Sequence, residues 1–217
     1  MVEIYLIVLA ALFPVVNPPG SALVFLSFTK RTSAAVRRSL ARRVAINSFF
    51  VMATSLLVGA FILKAYGISV PILRVAGGFI VATSGWKLLN QGSEKETASL
   101  LSAEKLDTTH AFYPLTLPLT TGPGTIAVLV SLGLSHAAYS GEDQNFGFFF
   151  AGLLATATMA CAIYVCFAFS DRVENVLGRA GTDIAVRLSA FILFCLGVQI
   201  IWTGVSDLLT STFAPRM

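Results

Sequence analysis

Uncharged, mostly apolar stretches of about 20 residues, the length that crosses roughly 30 Å of hydrocarbon, recur along the chain between short polar runs. They fall at residues 4–28, 44–64, 68–89, 112–134, 146–170 and 184–209. Six helices therefore take up nearly the whole chain, and the pattern predicts an all-α integral membrane protein. Two of the six, the first and the fourth, are interrupted near mid-length by proline and glycine. The interruptions read Pro14-Val-Val-Asn-Pro-Pro-Gly20 and Pro118-Leu-Thr-Thr-Gly-Pro-Gly124, 104 residues apart.

Composition agrees with a membrane environment. Apolar residues fill 56% of the 217 positions and charged residues 12%, against the roughly 25% charged of a soluble domain. With a mean hydropathy of +0.80, this chain cannot hide its apolar surface in water. The first stretch is predicted to be retained rather than removed as a signal peptide, because Met1-Val2-Glu3 carries an acid and no Lys or Arg, and no A-x-A pattern follows. Cys161, Cys166 and Cys195 all fall inside predicted spans. Their odd number and spacing suggest neither a disulfide framework nor a metal site, so they are expected to be small core residues.

Charge sets an expected orientation. Lys30, Arg31, Arg37, Arg38, Arg42, Arg43, Lys87, Lys95, Lys105, Arg172, Arg179 and Arg187 belong to the first, third and fifth connections and their helix ends, while the opposite side has only Lys64, Arg74 and Arg216. The positive-inside bias puts both termini outside the cytoplasm, in a multi-pass protein of the bacterial inner membrane. The net charge of +4 follows from that bias and is no sign of nucleic-acid binding. The cluster from 30 to 43 reads as a topology anchor against anionic headgroups, with a regulatory or gating role as the alternative.

At an offset of 104, Pro14 matches Pro118, Pro19 matches Pro123, Gly20 matches Gly124, Val24 matches Val128 and Ser27 matches Ser131. At an offset of 113, Leu73-Arg74-Val75 resembles Val186-Arg187-Leu188. The repeat unit is thus three helices, and an odd number of spans inverts the second copy. Residues 1–90 form the first repeat, 91–110 a polar cytoplasmic linker, and 111–217 the second repeat.

A break in a spanning helix is tolerated only where protein or a watery cavity receives the freed backbone groups. From Ile4 to Val16 the chain rises roughly 20 Å at about 1.5 Å per residue, so the first break lies near the bilayer midplane, and the second lands at similar depth. Each break is expected to present carbonyls, around Pro14 to Val16 and Pro118 to Thr120, and amides, from Gly20 to Ala22 and Gly124 to Ile126. Such ends suit the ammonium and carboxylate of a small zwitterion. The candidate site comprises Asn17, Pro18, Pro19, Gly20 and Ser21 with Thr120, Thr121, Gly122, Pro123, Gly124 and Thr125. The alternative is that proline and glycine merely kink two helices for packing.

Arg74 and Arg187, each several residues inside its span, are candidates for gating or charge pairing; the alternative is anchoring, or pairing with Asp183 or Asp171. Gln199 and Thr203 read as interhelical hydrogen-bond formers, and Gly77, Gly78 and Gly85 as sites of close helix packing. Enzyme chemistry finds little footing. His110 and His136 are placed in connections, no H-E-x-x-H run exists and no pair of acids sits within the spans. No cofactor is expected.

Four motifs in order carry a family resemblance: Asn17-Pro18-Pro19-Gly20 before Phe25-Leu26; Tyr66-Gly67-Ile68-Ser69 leading to Arg74-Val75-Ala76-Gly77-Gly78; Pro114-Leu-Thr-Leu-Pro118 leading to Gly122-Pro123-Gly124; and Ala185-Val-Arg187. The chain resembles the MarC family of bacterial inner-membrane proteins, also grouped as six-helix neutral amino acid transporters. The resemblance implies a six-span protein and, for some members, small neutral amino acids such as glycine and alanine as substrates. This chain departs from the family in having Leu23 where members often have a second proline, and Gln199 where some have glutamate. The leading expectation is a secondary transporter of small neutral amino acids. A channel or exporter for another small solute, and a non-transporting membrane scaffold, are the alternatives.

Overall fold

A computed structural model describes residues 1–29, 32–90, 108–139 and 142–213. All regular structure among them is helical: α1 (Val2–Val16), α2 (Pro18–Thr29), α3 (Ala34–Ala65), α4 (Val70–Asn90), α5 (Pro123–Tyr139), α6 (Glu142–Ala168) and α7 (Ser170–Phe213), with a 3-10 turn at Thr108–Ala111 and a π-type turn at Leu115–Thr120 ahead of α5. The predicted linker falls outside the described residues up to position 107.

Among the described residues, four stretches are long and apolar enough to cross a membrane: Val2–Leu26 through α1 and α2, Ala34–Gly59, Gly147–Ala168 and Arg187–Ser211. Pro123–Gly133 in α5 is a shorter apolar helix. α4 has the length, at 21 residues, but Arg74, Lys87 and its glycine and hydroxyl residues make it less apolar than these four.

Three boundaries differ from the sequence reading. α3 starts at Ala34, well before the apolar stretch, because the run from 34 to 43 is rich in the good helix formers Ala, Leu and Arg. The polar residues after 170 form no open connection. α7 runs from Ser170 to Phe213 with one sharp bend at Gly178, whose φ of 68° and ψ of 175° glycine adopts without a Cβ penalty. His136 lies inside α5 rather than in a connection.

The core forms where apolar faces meet. Val8, Leu12 and Val16, four apart along α1, join Phe25, Leu40, Val44, Met52, Leu56, Leu129, Met159, Ile163 and Phe167 in one cluster. Phe25 of α2 stacks on Phe167 of α6 with ring centroids 4.5 Å apart. Outside it, Phe13, Phe61, Phe79, Trp86, Phe150 and Trp202 are all more than half exposed, a burden that a protein in water rarely carries and lipid accommodates. Cys161 and Cys195 are exposed and Cys166 half-buried, which corrects the expectation of core cysteines: in a bilayer, apolar residues face outward as readily as inward.

α3 packs on α6 and α4 packs on α7, while the broken helix of each half lies against helices of the other half. α1 and α2 meet α6 and α7, and α5 meets α3 and α4.

Candidate functional site

The first break is made by one residue. Asn17, at φ 45° and ψ 63°, is left-handed and ends α1, its N–H donating to Phe13 O at 2.9 Å. The same residue opens α2. Its Oδ1 accepts from Gly20 N–H at 3.3 Å, and its backbone oxygen accepts from Ser21 N–H at 2.9 Å. This is N-capping by an asparagine, and it explains both prolines. Pro18 and Pro19 occupy the first two helical positions, where an N–H has no intrahelical acceptor and its loss costs nothing. Glycine at position 20 leaves room for the cap, since a Cβ there would overlap Asn17 Nδ2 and lie 2.9 Å from Asn17 Cγ.

The consequence corrects the expected electrostatics. The amides of Gly20 and Ser21 are committed to Asn17, and Val16 O accepts from Ser21 Oγ at 2.9 Å. The break closes on itself rather than standing open with bare helix ends.

The second break is longer. After a cis Tyr113–Pro114 peptide the chain makes a π-type turn in which Leu117 leaves helical geometry at φ −110° and ψ 124°. Here hydroxyls occupy the backbone. Thr116 Oγ1 donates to Ala111 O and Thr120 Oγ1 to Leu115 O, both at 2.7 Å. Thr121 Oγ1 bonds Ser48 Oγ of α3 at 3.1 Å, with both residues fully buried. At the start of α5, Thr125 N–H and Ile126 N–H both donate to Gly122 O, at 3.0 and 3.3 Å.

A cavity of about 60 Å³ joins the two breaks. Its wall is Val15, Val16, Asn17, Gly20, Ser21 and Val24 from the first break, Leu119 from the second, and Ser189, Ala190 and Leu193 from α7. Among the predicted site residues, Asn17, Gly20 and Ser21 line it. Pro18, Thr120, Thr121, Gly124 and Thr125 are buried elsewhere, Gly122 is half-buried and Pro19 and Pro123 are exposed. Gly124 still abuts the first break: a Cβ on it would overlap Val81 of α4 and sit 3.8 Å from Val15 Cγ1. Sequence reasoning missed Ser189, although a serine two residues beyond Arg187, inside an apolar stretch, was a usable signal.

The two arginines separate. Arg74 Nη1 donates to Asp207 Oδ2 at 2.5 Å and its Nε to Ser131 Oγ at 2.8 Å. It pairs with an acid that the sequence reading did not single out, near the far end of α7. Arg187 lies exposed on α7, two residues before Ser189 of the cavity wall.

Comparison with known proteins bears on the whole chain. A family model described as MarC family integral membrane protein matches residues 2–209. The chain is 30% identical over 207 residues to the UPF0056 inner membrane protein MarC of Salmonella typhimurium, with 93% of each chain covered. It is 33% identical over 207 residues to the UPF0056 membrane protein YvbG of Bacillus subtilis, again with 93% of each covered. A UPF0056 membrane protein of Archaeoglobus fulgidus is 29% identical over 201 residues, covering 92% of this chain and 91% of that one. No solved structure matches.

Proposed function

Because this chain belongs to the MarC family of integral membrane proteins, we propose that it is a secondary transporter of small neutral amino acids of the glycine and alanine class, working in the inner membrane. The observation that carries this reading is the cavity shared by the two helix breaks, lined by the polar groups of Asn17, Ser21 and Ser189 among apolar neighbours. Irregular backbone at membrane depth is found where it lines such a space, and binding at the meeting of two broken helices is the arrangement of transporters built from inverted repeats.

Size supports the solute class. At about 60 Å³ the cavity is far below the roughly 300–1,000 Å³ that holds a drug-sized ligand, so it favours a solute of few heavy atoms. None of its described lining residues is an acid or a base, which favours a solute with no net charge. Since the amides at the first break are already capped, solute would bind by exchange: its carboxylate takes the place of Asn17 Oδ1 at Gly20 N–H.

Six spans arranged as two inverted three-helix repeats, with both termini outside the cytoplasm, complete the reading. The neighbour pattern supports it, because each half's broken helix packs on the other half and equivalent helices pair, α3 with α6 and α4 with α7.

The test is uptake of labelled glycine or alanine by proteoliposomes containing the purified protein, under proton and sodium gradients. Saturable uptake is expected. Flux that rises without saturation identifies a channel, and no movement under any gradient removes the transport reading.

A further inference from the structure

α4 and α7 run antiparallel with their backbones in direct approach. A Cβ on Gly78 would lie 2.8 Å from Gly197 O, one on Gly85 2.9 Å from Ala190 O, and one on Gly204 2.7 Å from Pro71 O. Such a seam of small residues holds by contact along its length. Side chains of each helix seat in the notches of the other: Ile201 Cγ1 lies 2.9 Å from the Cβ position of Gly78, and Val75 Cγ2 2.9 Å from that of Gly204.

At one end of the seam, charge replaces contact. The guanidinium of Arg74 on α4 reaches Asp207 of α7 and Ser131 of α5 together, so one side chain ties three helices. From Ala190, which lines the cavity, to Asp207, α7 covers about 25 Å at about 1.5 Å per residue. The tie therefore lies near the opposite membrane face from the Ala190 end of the helix. Between cavity and tie, Gly124 packs on Val81 and Val15, and Gly77 of α4 meets Ala127 of α5. These residues make an apolar plug below the ion pair.

We propose that Arg74, Asp207 and Ser131 form a charge latch that closes the route to the cavity at the Asp207 end of α7. The inference rests on the transport reading for its purpose, but its geometry stands apart from the solute's identity. The side chains of Arg74 and Asp207 are 26% and 42% exposed, so the pair lies at the edge of the helix bundle rather than in its core. A pair of this kind breaks and re-forms readily, which a closure must do and a buried ion pair does poorly. Opening the latch frees the Arg74 end of α4 from α5 and parts the plug. Ser131 holds the guanidinium towards α5 and is a positioning residue.

Accessibility of the cavity wall tests this without any transport measurement. In a Cys161→Ala, Cys166→Ala, Cys195→Ala background, Ser189→Cys is labelled with a membrane-impermeant maleimide added from the side that carries the C-terminal end of α7. Labelling is expected to be slow with the latch intact and at least tenfold faster with Asp207→Asn. The charge-swapped double variant Arg74→Asp, Asp207→Arg is expected to return it to the slow rate. A thermal melt in detergent accompanies each variant. If Asp207→Asn lowers the melting temperature and leaves labelling slow, the pair is a structural pin and the proposal falls. It falls also if the swapped variant folds and labels as fast as Asp207→Asn. Altered labelling, with no glycine uptake by the protein carrying its native Ser189, keeps the latch and removes the solute assignment, whereas uptake with unaltered labelling does the reverse.

Discussion

At the first break a single left-handed asparagine ends one helix, starts the next and turns its side chain back on Gly20. At the second, a run from Pro114 to Gly122 makes the turn, and three threonine hydroxyls fasten it to its own backbone and to Ser48. The first break lines the cavity with polar groups, and the second contributes Leu119 alone. The contrast teaches that a repeated spacing of proline and glycine specifies where a helix stops, while the residues between them decide whether the gap is open or sealed. The first break, held by Asn17 and Ser21 alone, is the one we propose as a hinge. The second is a fixed wall.

The largest expected effect comes from crowding the wall. In Gly124→Val a Cβ overlaps Val81 Cγ2, and valine is a branched side chain stiff at χ1, buried in α4. Overpacking of this kind costs about 1–3 kcal/mol. A lowered melting temperature is expected together with lost uptake, so this variant alone does not separate a transporter from a scaffold.

Gly20→Val is the more informative change. Its Cβ meets the end of the Asn17 carboxamide, a group that can swing aside at the loss of a cap worth about 1 kcal/mol. The protein is expected to fold, melt only slightly lower and lose uptake, because valine fills the cavity wall. Should it melt as low as Gly124→Val, the first break is as rigid as the second and the contrast between hinge and wall is wrong.

Asn17 itself sharpens the contrast. Alanine at φ 45° loses the cap and takes on about 1–2 kcal/mol of left-handed strain. Glycine loses the cap without the strain. Asn17→Gly is therefore expected to be about 1 kcal/mol more stable than Asn17→Ala by thermal or denaturant unfolding. Equal stabilities would show that the left-handed turn at this position is not what ends α1.

Much of this was legible in the sequence, for identifiable reasons. Proline at the first turn of a helix and glycine in a crowded turn leave strong local marks, so both breaks stood out, and Gly78 and Gly85 announced a close seam. Contacts between distant helices leave no such mark. Asp207 was overlooked as the partner of Arg74 because a single sequence does not give the register of α4 against α7. Cys161 and Cys195 were misplaced because hydropathy does not distinguish the inside of a membrane protein from its lipid-facing side. The open helix ends were expected from proline and glycine alone, whereas Asn17 fills the gap they leave. At the second break the threonines do the same.

The smallest effect probes the hydroxyl link of the wall. Thr121 and Ser48 share one hydrogen bond across α3 and the break, at 3.1 Å and fully buried. Interhelical hydrogen bonds in membrane proteins average about 0.6 kcal/mol and reach about 1.7. Thr121→Val keeps the shape and leaves Ser48 bare at a cost of about 1 kcal/mol, while Ser48→Ala leaves Thr121 its longer bond to Thr116 O at 3.4 Å and is expected to cost less. When both are changed no hydroxyl is stranded, and the double variant is expected to melt no lower than either single one. A double-mutant cycle in detergent measures this directly. Simple addition of the two losses would mean that the hydroxyls stabilise separate neighbours, and that the wall is held by the turns at Thr116 and Thr120 instead of by its tie to α3.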